Sequence, residues 1–426
     1  MESDSAIYKR YTEILKKELI PAMGCTEPIA VAYCAAKAGE LLGSMPDLVE
    51  AQFSGNIIKN VKSVIVPNTG GRKGLETAVA IGLTAGRPEK KLEVISEVTP
   101  EQKKEMCRIL EQQIIRIEPM DSSHALDMEI TVRKGKSYAK VHITDDHTNI
   151  VHMEKDGQIV YHKETDHNTV KAGQDYDELS IENIYDFAVT ARLEDVKDIL
   201  ERQIADNSRI AEEGLNADYG ANIGKVLLNS FGDDVINKAK AFAAAGSDAR
   251  MNGCELPVVI NSGSGNQGLT VSLPLIVYAT ELKCSQEQLY RALLISNLSA
   301  VHLKNRIGRL SAYCGAVSAG ASAGAGIAYL KGGDLEVIAH TIVNALAITS
   351  GIICDGAKAS CAAKIAASVD AGILGYEMYM NGQQFYGGDG IISKGIENTI
   401  RNVGILGSSG MSETDKEIIR IMTCVD

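Results

Sequence analysis

Tryptophan is absent from the sequence, and aromatic side chains make up only 5% of it. The core must therefore be filled by aliphatic and very small residues, which lets helices approach one another closely. Basic clusters are missing too. The net charge is −12 and no Lys/Arg run supplies a concentrated positive face, which argues against a nucleic-acid partner. Long, strongly apolar runs are also lacking. The nearest, CGAVSAGASAGAGIAYL from Cys314 to Leu330, consists mostly of Gly, Ala and Ser and reads as a buried helix, not a membrane span. The opening stretch MESDSAIYKRYTEILKKEL has no basic start, apolar run and small-residue cleavage site of a secretory signal. The nine cysteines are accordingly expected in a reducing cytoplasm, as metal ligands, reactive thiols or core filler, and not as a disulfide scaffold.

What is present divides the chain into two kinds of pattern. Ile7, Tyr8, Tyr11, Ile14, Leu15 and Leu19 share one helical face, with Pro21 just beyond it. A second helix is expected after Thr26, read as its N-cap, and is expected to stop at Gly43. From about residue 90 the period changes. KLEVISEV and IIRIEPMD read as strands flanking a helix from Pro100 to Gln113. Residues 126–163 then alternate apolar and polar, with hairpin breaks at KGK, DDH and KDG. His124, His142, His147, His152, His162 and His167 lie in or near this meander without metal spacing and read as surface histidines. After residue 178 Ala/Gly-rich helical segments fill 180–250, 284–300, 314–330, 334–350 and 356–378. The expected fold is α+β: a discontinuous, mainly helical domain from residues 1–88 and 175–426, carrying an inserted module of meander plus helix at 89–174. The small-residue helices leave a homodimer open.

Four stretches could carry chemistry. In INSGSGNQGLTVSLPL, Gly263, Gly265 and Gly268 match a dinucleotide fingerprint. No acidic residue sits near twenty positions on at a strand end, Pro274 is expected to interrupt the next helix, and no βαβ series follows. What remains is an anion nest at Ser262, Gly263, Ser264, Gly265 and Asn266, suited to a small carboxylate, or a plain packing turn. In VPNTGGRKG, Asn68, Thr69, Gly70, Gly71 and Arg72 offer donors on a free backbone but miss a Walker A pattern, and a carboxylate site or an exposed loop both fit. Cys25, in PAMGCTEP, precedes a helix N-terminus, where the dipole favours a thiolate; it reads as a reactive thiol or metal ligand. In CDGAKASC, Asp355 can cap a helix from Ala357, so Cys354 would precede that helix and Cys361 lie in its first turns. Cys314 likewise precedes the Gly/Ala helix. Three thiols at helix starts could bind metal, although C-x6-C is no standard zinc spacing. The loop QFYGGDGIISKG, Gln384 to Gly395, has hinging glycines and could close over a site. Cys34, Cys107, Cys254, Cys284 and Cys424 have no motif and read as core filler.

PAMGCTEP near the start, with Cys314, Cys354 forty positions on and Cys361 seven further, resembles the PLP-independent L-cysteine desulfidase family, related to the α part of iron–sulfur L-serine dehydratases. GSGNQGLTVSLP and YCGAVSAGASAG also resemble Gly-rich stretches of the wider serine dehydratase group. The resemblance covers essentially the whole chain. It implies a serine-dehydratase-α-like fold and an oxygen-sensitive [4Fe–4S] cluster held by Cys314, Cys354 and Cys361. It also implies Cys25 as catalytic base, or as occupant of the fourth iron when substrate is absent. The substrate implied is L-cysteine, eliminated to sulfide, pyruvate and ammonia. The serine dehydratases proper space their last two ligands more widely, within a Pro/Gly-rich stretch that CDGAKASC does not reproduce. Three thiolates for four irons would leave one iron as a Lewis acid, for which a substrate thiolate is a suitable soft ligand. A Cys base would need a depressed pKa. The rival readings are an iron–sulfur L-serine dehydratase, a non-catalytic iron–sulfur or zinc protein, and, more distantly, a nucleotide-dependent enzyme using the Gly263–Gly268 loop.

Overall fold

The computed structural model describes residues 1–164 and 176–423. The chain opens with α1 (Ala6–Glu18), β1 (Pro21–Met23), α2 (Thr26–Leu42), β2 (Leu48–Phe53), α3 (Gly55–Val61) and α4 (Leu75–Ala85). It continues through α5 (Pro100–Gln112), β3 (Ile115–Pro119), β4 (Asp127–Lys134), β5 (Ser137–Thr144), β6 (Ile150–Lys155) and β7 (Gln158–His162). Helices then dominate: α6 (Ile181–Thr190), α7 (Lys197–Asn216), α8 (Ile223–Phe231), α9 (Val235–Met251), and, after the short β8 (Pro257–Val259), α10 (Gly265–Glu281) and α11 (Gln286–Ile307). The last five are α12 (Gly315–Leu330), α13 (Leu335–Thr349), α14 (Cys361–Met380), α15 (Ile396–Ile405) and α16 (Ser412–Thr423). The fold is α+β and mainly helical, as the periodicity predicts. His167 and Cys424 lie outside the described residues.

The meander forms as four antiparallel strands, β4 to β7, within a six-stranded sheet of order β3-β2-β4-β5-β6-β7. Its second strand, β2, comes from Leu48–Phe53, ahead of the 89–174 segment, and pairs parallel to β3 and antiparallel to β4. Alternation sorts the two faces. Val49, Ala51, Phe53, Met128, Ile130, Val132, Val141 and Ile143 are fully buried or nearly so on the side covered by α2. Arg133 with Glu50 and Lys140 with Glu129 form ion pairs on the other side. KLEVISEV is not a strand. Pro88–Glu93 forms a 3-10 turn, Lys91 takes φ +50°, and Leu92, Val94 and Ile95 are buried as a loop. Pro88 fixes φ, and the left-handed residue reverses the chain before a ladder can form.

The helical part is built around α12. Its residues from Ala316 to Ala328 are buried, and it packs against α10, α11, α13 and α14. Side chains this small let backbones touch. A Cβ at Gly320 would stand 2.3 Å from the Ser368 carbonyl oxygen, and one at Gly372 would stand 2.3 Å from that of Gly320. α12 and α14 therefore cross at glycine. Pro274 does not interrupt α10; it is buried within the helix, and tertiary packing there outweighs the lost amide bond. Among the described residues no helix is long and apolar enough to cross a membrane. β1 and β8 form a separate two-stranded ribbon, pairing Pro21 with Val259 and Met23 with Pro257. That ribbon brings PAMGCTEP beside the Gly-rich stretch that follows LPVVI.

Candidate active site

Cys25 is itself the N-cap of α2, and Thr26 is the first helical residue. The preceding Gly24 holds φ +62°, and a Cβ there would stand 2.3 Å from Pro67 Cγ, so the turn into the helix requires glycine. Cys25 is buried, and its Sγ donates to Glu27 Oε2 at 3.0 Å. Glu27 also accepts from Thr26 Oγ1 at 3.1 Å and, on Oε1, from Asn60 Nδ2 at 3.2 Å. His147 Nε2 lies 3.9 Å from the same Oε1. The expected thiolate is not favoured here. Burial pushes the Cys25 thiol well above its ordinary range and the Glu27 carboxylate adds to this, while Arg250 only partly opposes it. Burial alone would also raise Glu27, but His147 and the thiol hydrogen bond outweigh it and hold the carboxyl low. The helix dipole loses to desolvation and a carboxylate neighbour.

The stretch after β8 turns back at once. Ser262 (φ +51°) and Gly263 (φ +80°) are the two central residues of a tight turn closed by hydrogen bonds in both directions between Asn261 and Ser264. The glycine spacing follows from a close approach at each of the three positions. A Cβ at Gly263 would stand 3.1 Å from both Arg309 Nη1 and His147 Cε1. One at Gly265 would meet Arg250 Nε at 2.1 Å, and one at Gly268 the Val259 oxygen at 2.1 Å. Ser264 caps α10, Ser262 Oγ donates to Asn261 Oδ1 at 2.8 Å, and Asn266 Oδ1 accepts from Arg250 Nη1 at 3.0 Å. Thr26 Oγ1 donates to the Gly263 oxygen at 2.9 Å, tying this turn to the start of α2.

The Asn68–Arg72 loop braces the same region from behind. Asn68 Nδ2 donates to the Ile95 oxygen at 2.8 Å and Thr69 Oγ1 to the Val66 oxygen at 2.7 Å, so both side chains serve the backbone. Gly70 and Gly71 hold positive φ and are exposed, as is Arg72. The Gln384–Gly395 loop is exposed at its tip, with Gly388 and Gly390 at positive φ and Asp389 accepting from the Tyr386 amide.

Cys314 and Cys354 lie on paired segments. Tyr313 bridges Ile353, the Cys314 amide donates to the Ile352 oxygen at 3.1 Å, and the Cys354 amide donates to that of Ala312 at 2.6 Å. Cys314 caps α12. Asp355 does not cap a helix from Ala357. α14 starts at Cys361 with Ser360 before it, and Asp355 instead holds Lys358 and Lys364, each at 2.5 Å. Two ammonium groups outcompete backbone amides for that carboxylate. Burial, then Cys354, raises the Cys314 thiol to about 12, with Cys361 contributing; burial and Cys354 raise Cys361 too. Cys361 also packs against the small cluster of Cys25, Val64 and Met251. Among the described residues no three His, Cys, Asp or Glu side chains are arranged to hold a single metal ion. A cluster makes a different demand, since each of its cysteines binds a different iron. Three soft thiols within mutual electrostatic reach, joined from two helix starts and a bridge, fit that donor set. Of the cysteines without a motif, Cys34 and Cys254 are buried, while Cys107 and Cys284 are partly so.

Four neighbours escape a sequence reading. Glu27 stands two positions after Cys25 and could have been noticed there. His147, read as a surface residue, is 3% exposed because its turn folds in against Gly263. Lys304, in the last turn of α11, is 5% exposed and faces Cys354 and Cys314 without an ion pair among the described residues. Arg250, in the last turn of α9, is 2% exposed.

Comparison with known proteins gives this arrangement a lineage. The serine dehydratase alpha chain family matches residues 89–420. A UPF0597 protein of Desulfitobacterium hafniense is 58% identical over 422 residues, covering 99% of this chain and 98% of that protein. One of Treponema denticola is 46% identical over 428 residues, covering 99% of each. One of Bacteroides fragilis is 38% identical over 421 residues, covering 97% and 98%. With the Gly-rich helix and the Gly263 turn falling inside the matched span, the chain belongs to the serine dehydratase alpha chain family.

Proposed function

We propose that the chain is a cytoplasmic, [4Fe–4S]-dependent lyase that removes sulfide from L-cysteine, leaving pyruvate and ammonia. Family membership supports an enzyme of the dehydratase and lyase type. The observation that supports the finer reading is that Cys314, Cys354 and Cys361 lie within electrostatic reach of one another and that Cys361 packs against the small cluster holding Cys25, the partner of Glu27. Cys314, Cys354 and Cys361 would hold the cluster. When bound, it supplies a Lewis-acidic iron that favours departure of a thiolate.

The chain's own residues do the rest. Removing the Cα proton needs a base held close, because without PLP as an electron sink that proton is only weakly acidic. Cys25 and Glu27 form that unit. The carboxylate is the ionised partner and the thiol the protonated one, so the pair presents both an acceptor and a donor. Asn60 and Thr26 fix Glu27 in place, and the His147 ring stands 3.9 Å away. The closed, buried setting excludes water from the proton transfer.

The test is anaerobic purification, assay of iron and acid-labile sulfide, and initial rates with L-cysteine and L-serine. Sulfide release with a higher kcat/KM for L-cysteine is expected. A preference for L-serine would make the chain a serine dehydratase. Iron without product from either amino acid would make it a sensor or store.

A further inference from the structure

Arg250 presents a charge problem that its surroundings leave open. Its guanidinium carries five N–H donors in a planar fork. Nη1 donates to Asn266 Oδ1 at 3.0 Å, whereas Nε, buried, has no partner. No carboxylate lies within ion-pair reach of it among the described residues. A buried cation without a counter-ion is costly, and ordinary core packing gives no reason to keep one. Its electrostatic neighbours are Cys25, Glu27 and Cys361, so it shares the surroundings of the acid–base pair and of one of the three grouped thiols. Glu27 is already committed to Cys25, Thr26 and Asn60. Gly265 is what lets the guanidinium lie here, since a Cβ there would come within 2.1 Å of Nε and 2.5 Å of Cζ.

We propose that Arg250 is the anchor for the substrate's α-carboxylate, which takes up the donors of the fork that Asn266 leaves unused. The inference rests on the reading of this site as one for an amino acid. It moves the carboxylate away from the Asn68–Arg72 loop, whose Asn68 and Thr69 donors are spent and whose Arg72 faces solvent. It also gives the amino acid a direction. With its carboxylate on Arg250, Cα comes beside Cys25 and Glu27, and the side chain is left to point toward the grouped cysteines. A substrate lacking the carboxylate would forfeit the fork and leave the guanidinium uncompensated.

Isothermal titration calorimetry on the anaerobically purified full chain tests this with L-alanine, which has no leaving group, and with L-alaninamide, which lacks the carboxylate. Wild type should bind L-alanine at least about 10-fold more tightly than the amide. Arg250→Gln should weaken L-alanine by about 30-fold while leaving the amide unchanged, and Arg250→Lys should fall between them. Iron and sulfide content measured on both variants separates this role from mere charge compensation of the thiolates. The proposal is overturned by no acid–amide discrimination in wild type. It is equally overturned if Arg250→Lys, with full iron content, binds L-alanine as tightly as wild type. If L-cysteine is not turned over but discrimination through Arg250 persists, the lyase reading fails and the anchor stands.

Discussion

A thiol and a carboxylate 3.0 Å apart in a dry site act as one unit, and removing either should be felt by the other. Cys25→Ala and Glu27→Gln are each expected to keep iron and lower turnover of L-cysteine by about 10²- to 10⁴-fold. Normal turnover by Cys25→Ala would remove it from the acid–base role. Cys354→Ala should instead lose iron and acid-labile sulfide, measurable before any rate is taken. The sequence makes Cys25, Cys314 and Cys361 conspicuous because they stand at helix starts, with Cys354 close by in the chain. Arg250 and Lys304 are not conspicuous, because a lone basic residue near a helix C-terminus is normally a solvated partner of the helix dipole. Here tertiary packing buries both. His147 was hidden by its position in a polar hairpin turn, where exposure is the usual outcome.

At the level of elements, glycine decides how close helices come. Gly320→Ala would drive a methyl into the Ser368 carbonyl, and overpacking of this kind costs about 1–3 kcal/mol, read as a lower urea midpoint. The Gly/Ala composition of α12 announced a buried helix, and its partners across the crossing were not legible, because contact between backbones leaves no side-chain pattern. The sheet offers a pH-dependent contact. His142 Nε2 lies 2.6 Å from Asp127 Oδ1, and that carboxylate raises the imidazole's pKa above its usual value. A raised folded-state pKa stabilises the protein fully below the unfolded value and is lost as pH rises through the folded one. The difference in melting temperature between wild type and His142→Gln should therefore be largest near pH 5.5 and shrink on raising the pH past neutrality. A difference that grows with pH would refute the ion pair's contribution.

Across the whole molecule, distant segments are joined by pairings that no local pattern encodes. β2 enters the sheet between β3 and β4, each more than sixty positions downstream, and the alternation of LVEAQF is too short to announce it. The C-terminal α16 returns to α3 in the same way. Lys59, 1% exposed, pairs with Asp415 Oδ1 at 2.5 Å, and Asn56 donates to Oδ2 at 2.8 Å. Asp415→Ala would strand a buried ammonium at a cost of about 3–5 kcal/mol, and limited proteolysis should then cut first within α16. A lever is hidden in the crossing of α12 and α14. Cys314 lies about 9 Å along the helix from Gly320, at 1.5 Å per residue, so tilting one rod by about 6° at this pivot swings its sulfur by about 1 Å. If the proposed cluster binds there, its occupancy would gauge the angle between the two rods, because a change at the fulcrum is magnified at the tips where Cys314 and Cys361 sit.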